Sequence, residues 1–458
     1  MKIVFLILYI ITLVVVVLFA KKKNTSKREF FFANSRIGSI VGFLSFSATL
    51  FSTFTLMGIP EFFRTHGVGT WIFLGITDVV MAYVLLVYGA YIRNSYKGEF
   101  QGMAVFIRKQ YRSPLAAWTY LIGAFLFLIP YASIQVRGIA GFLASFDGNF
   151  IPFEAWVSIL ILAMYLYSYF GGIRAIMYSD VIQGGLMLIV IVLVALVCLQ
   201  SSNGWHTMLT QIGFQQPKLL SLPGPHGIFS KEYLFITFLS IILMPISNPQ
   251  LNTRIMLMRS NTNFKKMAIA VAIFAFVVLI ATIPIGFYGA LHYPQESAGT
   301  FLYKTLIVDT PPLLSGLVVI GLIAAAMSTV DSQLFALGTE VSFYRKTSSI
   351  SHIELTIFSF ITLLFSLLSN QGIVSLARIS FTGTAFLAPI ILFHHIRSRT
   401  ILYGSITTML LFLLSEIQVL PPTMLSIRMD LLLLICLFLI AIIIWLQGIY
   451  RKVHSNLG

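Results

Sequence analysis

Charge is scarce in this chain: Asp, Glu, Lys and Arg make up 10% of its 458 residues. A soluble globular domain carries about 25%, so that class is excluded. Cysteine is scarcer still. Cys198 and Cys436 both fall in apolar runs and offer neither a disulfide framework nor a metal-ligand spacing. The eight histidines are scattered, and the pair His394-His395 falls at a helix end, where partial positive charge is favourable. The chain has no Gly-rich phosphate loop, dinucleotide fingerprint or nucleophile elbow. ATP-driven transport therefore has no visible engine, and an enzyme is not expected.

Apolar residues are what the chain does have. They make up 58% of it, with a mean hydropathy of +0.92. Repeated apolar runs of membrane length predict an all-α polytopic membrane protein. The expected spans are 3–20, 37–60, 69–92, 115–145, 152–170, 176–199, 233–255, 267–290, 313–344, 353–369, 373–395, 400–416 and 429–449, about 13 in all. The formal charge of +15 is topological. If the N-terminus is outside, Lys and Arg concentrate in the cytoplasmic segments 21–36, 93–113, 254–266, 345–346, 397–399 and 451–452, with Arg174. The other side holds only Lys2, Arg64, Lys218, Lys231, Lys304 and Arg428. That asymmetry is the positive-inside rule, and no nucleic-acid partner is expected. The basic cluster Lys21-Lys22-Lys23 follows the first apolar run, as for a retained first helix with its N-terminus outside and the C-terminus cytoplasmic. The segment 93–113 reads as a cytoplasmic surface helix, and 200–232 and 291–312 as ordinary connections.

Without the first span and the last two, ten remain and divide as five plus five. An odd number per half inverts one half against the other, as in inverted-repeat transporters. The expected organisation is a single transmembrane domain over 1–458: an extra helix 3–20, a first repeat 37–199, a second repeat 233–395 and two extra helices in 400–449. The first helix of each half carries signs of a break. Span 37–60 contains Ser45, Ser47, Ser52, Thr53 and Thr55 ahead of Gly58 and Pro60. Span 233–255 contains Pro245-Ile246-Ser247-Asn248-Pro249-Gln250. Two prolines four apart free backbone carbonyls, tolerable at membrane depth only where protein, water or an ion satisfies them.

In 313–344 the apolar run is interrupted by Ser328, Thr329, Asp331 and Ser332. Ser328 and Ser332 are four apart and Ser328 and Asp331 three apart, so they share one helix face with Thr329 on its edge. An Asp at the centre of a membrane helix costs roughly 2.5–3.5 kcal/mol on insertion scales, so a partner is expected. The preceding Ala324-Ala325-Ala326 admits a neighbouring backbone closely. Hard oxygens in such a place suit a small hard cation.

Three motifs then coincide: Tyr169-Phe170-Gly171-Gly172-Ile173-Arg174 running on to Asp180 and Gln183, Ala325-Ala326-Met327-Ser328-Thr329, and Leu56-Met57-Gly58-Ile59-Pro60. Together they resemble the sodium:solute symporter family over roughly residues 30–400. The resemblance implies a LeuT-like 5+5 inverted-repeat core with flanking helices, in a plasma or inner membrane. It implies sodium-coupled symport of a small polar solute by alternating access. By resemblance, the coupling sodium is held by the backbone carbonyls of Ala48, Phe51 and Ala325 and the hydroxyls of Ser328 and Thr329. Asp180, Asp331 and Ser332 are candidates for a second sodium; alternatively Asp180 pairs with Arg174 or a backbone N–H, and Asp331 serves a proton-coupled carrier. Proline carriers of the family have Asp one residue before Phe51; Leu50 stands here.

For the solute, the candidates are Ser52, Thr53, Phe54, Tyr131, Gln135, Arg137, Asn248 and Gln250, with Thr382 and Arg378 further along, Arg378 rather as a gate or interfacial residue. Arg137 matches a carboxylate, which makes an amino acid or organic acid the expected cargo; alternatively it snorkels to the interface near Asp147. The expected partners are the solute and the lipid bilayer. A transporter-like sensor working with a separate signalling partner is the alternative class.

Overall fold

The computed structural model describes residues 2–455 except 21–25, 97, 147–149, 223, 226–230, 346–352 and 370–372. The cluster Lys21-Lys22-Lys23 and Asp147 lie outside the described residues. A chain in hydrocarbon must satisfy its backbone internally, and this one does so with helices. In order they are α1 (Lys2–Ala20), α2 (Lys27–Phe32), α3 (Ser39–Leu50), α4 (Ile59–His66), α5 (Thr77–Ser95), α6 (Met103–Tyr111), α7 (Pro114–Phe146) and α8 (Phe153–Ser201). Then come α9 (Gly204–Gln215), α10 (Lys231–Ile242), α11 (Met244–Ser247), α12 (Pro249–Leu257), α13 (Asn261–His292) and α14 (Ala298–Tyr303). The chain continues with α15 (Pro312–Tyr344), α16 (Ile353–Leu368), α17 (Ile373–Ala385), α18 (Ala388–Leu392), α19 (Arg399–Glu416) and α20 (Met429–Ser455).

Among the described residues, seven helices are long and apolar enough to cross a membrane, and the bent pair Ser39–Leu50 with Phe54–His66 makes eight. Helices lie at each expected span, but those at 3–20, 233–255, 353–369 and 400–416 are shorter, broken or less apolar and fall outside this count. Spans 152–170 and 176–199 follow one another without a loop as the two halves of α8, which part at Gly172, where φ +64° and ψ 176° are not helical. The connection 200–232 contains the helix α9, and 291–312 contains α14. A two-residue hairpin, Thr423–Met424 against Ile427–Arg428, joins α19 to α20.

Local chemistry accounts for the helix ends. Ser260 caps α13 by accepting from the Asn263 amide at 3.1 Å, and Ser297 caps α14 through Thr300 at 3.2 Å. Pro312 opens α15, where its missing N–H costs nothing. At the far end of α15, both oxygens of buried Glu340 accept the amides of Met103 and Ala104 at 2.8 Å, fastening the start of α6. A carboxylate there meets the positive end of a helix.

Packing centres on α15. It lies against α8 along its length and touches α3, α7, α12 and α16. Ala324, Ala325 and Ala326 are completely buried, and small side chains let backbones approach where apolar burial gives no preference for protein over lipid. Outward faces remain apolar: Ile7, Leu18, Leu162, Ile189, Ile273 and Leu446 are all exposed.

The kink in α8 is built from glycine. Gly172 has φ +64°, and a Cβ there would sit 2.9 Å from the Phe30 ring. Tyr167 spans the kink by donating to the Ala175 carbonyl at 3.1 Å. Gly172→Val is expected to lower stability by at least ~1–3 kcal/mol from backbone strain alone, read as a fall in the melting temperature of detergent-purified protein. An unchanged melting temperature would mean the kink relaxes freely.

Candidate ion and solute site

Two helices are broken at the depth where α15 carries its hydroxyls. The first break lies between α3 and α4. Phe51 ends α3 in extended geometry (φ −90°, ψ 109°), which turns its carbonyl out of the helix ladder. Side chains stitch the gap. The Ser52 amide donates to Thr55 Oγ1 at 3.1 Å, the Phe54 amide to Ser52 Oγ at 3.2 Å, and the Thr53 amide to Gln135 Oε1 of α7 at 2.9 Å. The second break, between α11 and α12, falls at Asn248 (φ −88°, ψ 120°), directly before Pro249. Asn252 serves it by donating to the carbonyls of Ile246 at 2.7 Å and Asn248 at 3.1 Å, while its own oxygen accepts from Tyr88.

The hydroxyls of α15 meet the first break. Ser328 Oγ donates to the Ala48 carbonyl at 2.8 Å and lies 3.1 Å from that of Ala325. Thr329 Oγ1 lies 3.4 Å from the Thr49 carbonyl and 3.2 Å from Ala325's. Ala48, Ala325, Ser328 and Thr329 thus form one buried, neutral oxygen cluster, with the turned Phe51 three residues along from Ala48. Carbonyl and hydroxyl oxygens without net charge fit a hard monovalent cation that must also be released.

Beside this cluster lies a charged one. Arg254 of α12, 1% exposed, reaches Asp180 Oδ2 of α8 at 2.7 Å and Ser332 Oγ of α15 at 2.5 Å with the same nitrogen. Its Nε donates to Ser45 Oγ of α3 at 2.9 Å, and Ser45 donates in turn to Asp180 at 2.6 Å. Ser332 also lies 3.1 Å from Thr49 Oγ1. Sequence reasoning assigned Arg254 to a cytoplasmic basic segment; the structure buries it. The signal was present, because 254 falls inside the expected span 233–255 and an arginine there demands a counter-ion. Arg174, the other partner considered for Asp180, pairs with Glu29 at 2.8 Å. Asp331 is completely buried; Ser168 donates to its Oδ1 at 3.3 Å and its Oδ2 has no hydrogen-bond partner.

The expected solute residues separate into two groups. Ser52, Thr53, Gln135, Asn248 and Gln250 are buried at or next to the breaks, and polar atoms of Thr53, Asn248 and Gln250 have no partner. Buried polar atoms left unpaired are costly, and such a group is what a polar cargo or water would satisfy. Phe54 lines a narrow cavity of about 20 Å³ together with Phe62, Phe73, Tyr233, Thr237, Ser240, Arg378, Phe381 and Thr382. Tyr131 packs edge-on against Phe381 at 5.1 Å between centroids. Arg137 stands apart: it donates to the Ser366 carbonyl of α16 at 2.6 Å and lies over the Phe153 ring. Arg378 is held by Glu416 at 2.6 Å and Asp430 at 2.9 Å, both on the flanking helices. Tyr233, Thr237 and Ser240 were not anticipated, because they precede the proline-marked break and read in sequence as ordinary positions of an apolar helix.

Removing one member of a buried ion pair leaves a lone charge and costs about 3–5 kcal/mol. Asp180→Asn and Arg254→Gln are each expected to destabilise the purified protein by that order, and the double variant by less than either. If the three melting temperatures are simply additive, the pair is not coupled.

Comparison with known proteins follows this geometry. Residues 30–411 match the sodium:solute symporter family. The sodium/pantothenate symporter of Escherichia coli (strain K12) is 23% identical over 311 residues, covering 67% of this chain and 63% of the relative. A sodium/proline symporter of Staphylococcus aureus is 24% identical over 339 residues, covering 69% and 63%. The chain thus spans somewhat under two thirds of the length of these curated relatives. Among solved structures, a sodium-coupled sialic acid symporter in a substrate-bound outward-open state superposes with a TM-score of 0.76 at 16% identity, covering 96% of both chains. A nucleobase-cation-symport-1 family transporter, closed around bromovinylhydantoin, gives 0.59 at 12% identity, covering 94% and 96%.

Proposed function

Because this chain belongs to the sodium:solute symporter family, we propose that it is a secondary transporter that couples sodium entry to uptake of a small solute by alternating access. It is an integral membrane protein with the LeuT-like core of five plus five helices and flanking helices. The proposed repeats are 37–199 and 233–395. The proposed orientation has the N-terminus outside, in accord with the positive-inside rule.

The observation that carries this reading is the contact between Ser328 and the Ala48 carbonyl, 280 residues apart in sequence and 2.8 Å apart in space. Sodium inserted among these oxygens and those of Thr329, Ala325 and Phe51 replaces their mutual hydrogen bonds and draws α3 against α15. Fixing the first break also fixes Ser52, Thr53 and Phe54, which is how an ion at one place raises solute affinity at the next. Linkage makes the effect reciprocal: solute tightens sodium by the same factor.

The proposed cargo combines an apolar body with a carboxylate. Phe54, Phe62, Phe73 and Phe381 offer an aromatic box, and Thr237, Ser240 and Thr382 add hydroxyl oxygens to it, those of Thr237 and Ser240 donating to their own helix carbonyls at 2.8 Å. Arg378 stands on the same cavity, its charge already balanced by Glu416 and Asp430, so it orients a carboxylate through shared hydrogen bonds without supplying an unpaired charge. A cavity of about 20 Å³ holds a single water, so admitting the cargo requires the aromatic walls to part.

The test is a thermal-shift screen of amino acids, organic acids and sugars on purified protein, with sodium or with potassium. Sodium-dependent stabilisation by one carboxylate class is the expected outcome; stabilisation by ligand at 100 times its Kd amounts to about 2.7 kcal/mol. Ser328→Ala combined with Thr329→Ala is expected to abolish both the sodium shift and sodium-driven uptake while the protein stays folded. Uptake that persists unchanged in that variant sinks the reading.

A further inference from the structure

At the end of the bundle where α5, α7 and α15 terminate or begin, several charges are paired. Arg28 pairs with Glu99, Arg174 with Glu29 and Arg345 with Glu354. Arg93 donates to Asn261 and to the Ile255 carbonyl. Arg108, Lys109 and Arg112 stand together on one surface. All three are exposed, and no carboxylate among the described residues pairs with them. They line one groove of about 460 Å³ between α6, the start of α7 and the end of α15, whose other walls include Phe343 and Tyr344. Among the described residues no acidic side chain lines it.

The groove is held rigidly. The buried face of α6, Met103, Ala104, Phe106, Ile107 and Tyr111, packs into the bundle; Glu340 secures its first turn, and Tyr111 donates to the Ile390 carbonyl at 3.2 Å. Gly102, at φ +97°, lies so close to Glu340 that a Cβ would come within 2.6 Å of its carboxylate. The cations are thus presented by a fixed helix at the membrane boundary.

The groove also continues onto a lipid-facing surface. Arg108 lies over the Tyr344 ring at 5.2 Å, and Tyr344 meets Trp118 of α7 edge-on at 5.3 Å. Leu115, Trp118 and Ile122 are all exposed. Spaced by three and four, they form one stripe running away from the groove along α7. Three uncompensated cations at the head of an apolar stripe match a molecule with an anionic head and a hydrocarbon tail.

We propose that this groove binds the phosphate headgroup of an anionic membrane lipid, with Arg108, Lys109 and Arg112 around the phosphate and the acyl chain along Leu115, Trp118 and Ile122. The proposal needs only that the protein is embedded in a bilayer, and stands apart from the identity of its cargo. Each cation near an anionic surface is worth about 1 kcal/mol, roughly fivefold in affinity, and the attraction weakens with salt.

The test compares protein purified in a neutral detergent after addition of mixed micelles containing phosphatidylglycerol, mixed micelles containing phosphatidylcholine, or dissolved inorganic phosphate. Phosphatidylglycerol is expected to raise the melting temperature and phosphatidylcholine to leave it unchanged. The triple variant Arg108→Gln, Lys109→Gln, Arg112→Gln is expected to melt near the parent temperature without lipid and to lose the phosphatidylglycerol shift. Should that variant not fold, a salt series on the unaltered protein gives the same information, with the shift falling as salt rises. Equal stabilisation by phosphatidylcholine, a shift retained in the triple variant or insensitive to salt, or a shift of the same size from inorganic phosphate would each overturn the proposal.

Discussion

Arg254 carries a full positive charge into the middle of the helix bundle, and the arrangement around it makes that tolerable. Four elements converge on its guanidinium: Asp180 from α8, Ser332 from α15, Ser45 from α3 and the Gln250 carbonyl from its own α12. Taking two charges out of water costs several kcal/mol per ion, offset only where geometry and further hydrogen bonds are good. Here each partner of the pair also engages a serine, so the price of burial is spread over all four elements. The arrangement fixes how α12, beyond one helix break, sits against α3, which ends at the other.

Relative placement of the two breaks governs the neighbouring oxygens. Thr49 lies one residue from Ala48 and contacts Ser332, which Arg254 also holds. The neutral cluster of Ala48, Ala325, Ser328 and Thr329 is therefore positioned by the charged cluster beside it. The division is chemically sensible: fixed charge provides rigidity in one place, and uncharged oxygens gather in the next, where strong fields would bind a cation too tightly to release.

Much of this could be read in the sequence because membrane helices obey few rules. Apolar length marked the spans, proline spacing marked the break at Asn248, and the spacing of Ser328, Asp331 and Ser332 marked a polar face. Partners across the bundle are another matter. Nothing local links Asp180 to Arg254, 74 residues later, or Glu340 to the amides of Met103 and Ala104. Arg254 was assigned to a loop because it stands one residue from a span boundary, the least certain feature of any hydropathy pattern. Arg137 shows the converse. Its position suggested a cargo contact, but only the tertiary fold reveals that the Ser366 carbonyl already engages it. The aromatic cavity was missed for a related reason, since Tyr233, Thr237 and Ser240 look like routine helix residues until α5 and α17 are brought beside them.

Under the proposed function, the narrowness of that cavity would bear on how the protein tells one molecule from another. When the walls of a pocket touch in the absence of cargo, opening it breaks aromatic contacts such as the stacking of Phe73 on Tyr233. A visitor has to return at least that much on entering. Water and inorganic ions, which offer the rings little dispersion energy, gain nothing from prising them apart. A molecule with an apolar body does, and so in the proposed cycle the resting contacts would act as a threshold on leakage. Discrimination of this kind resides in the cohesion of the closed walls, before any cargo has been touched.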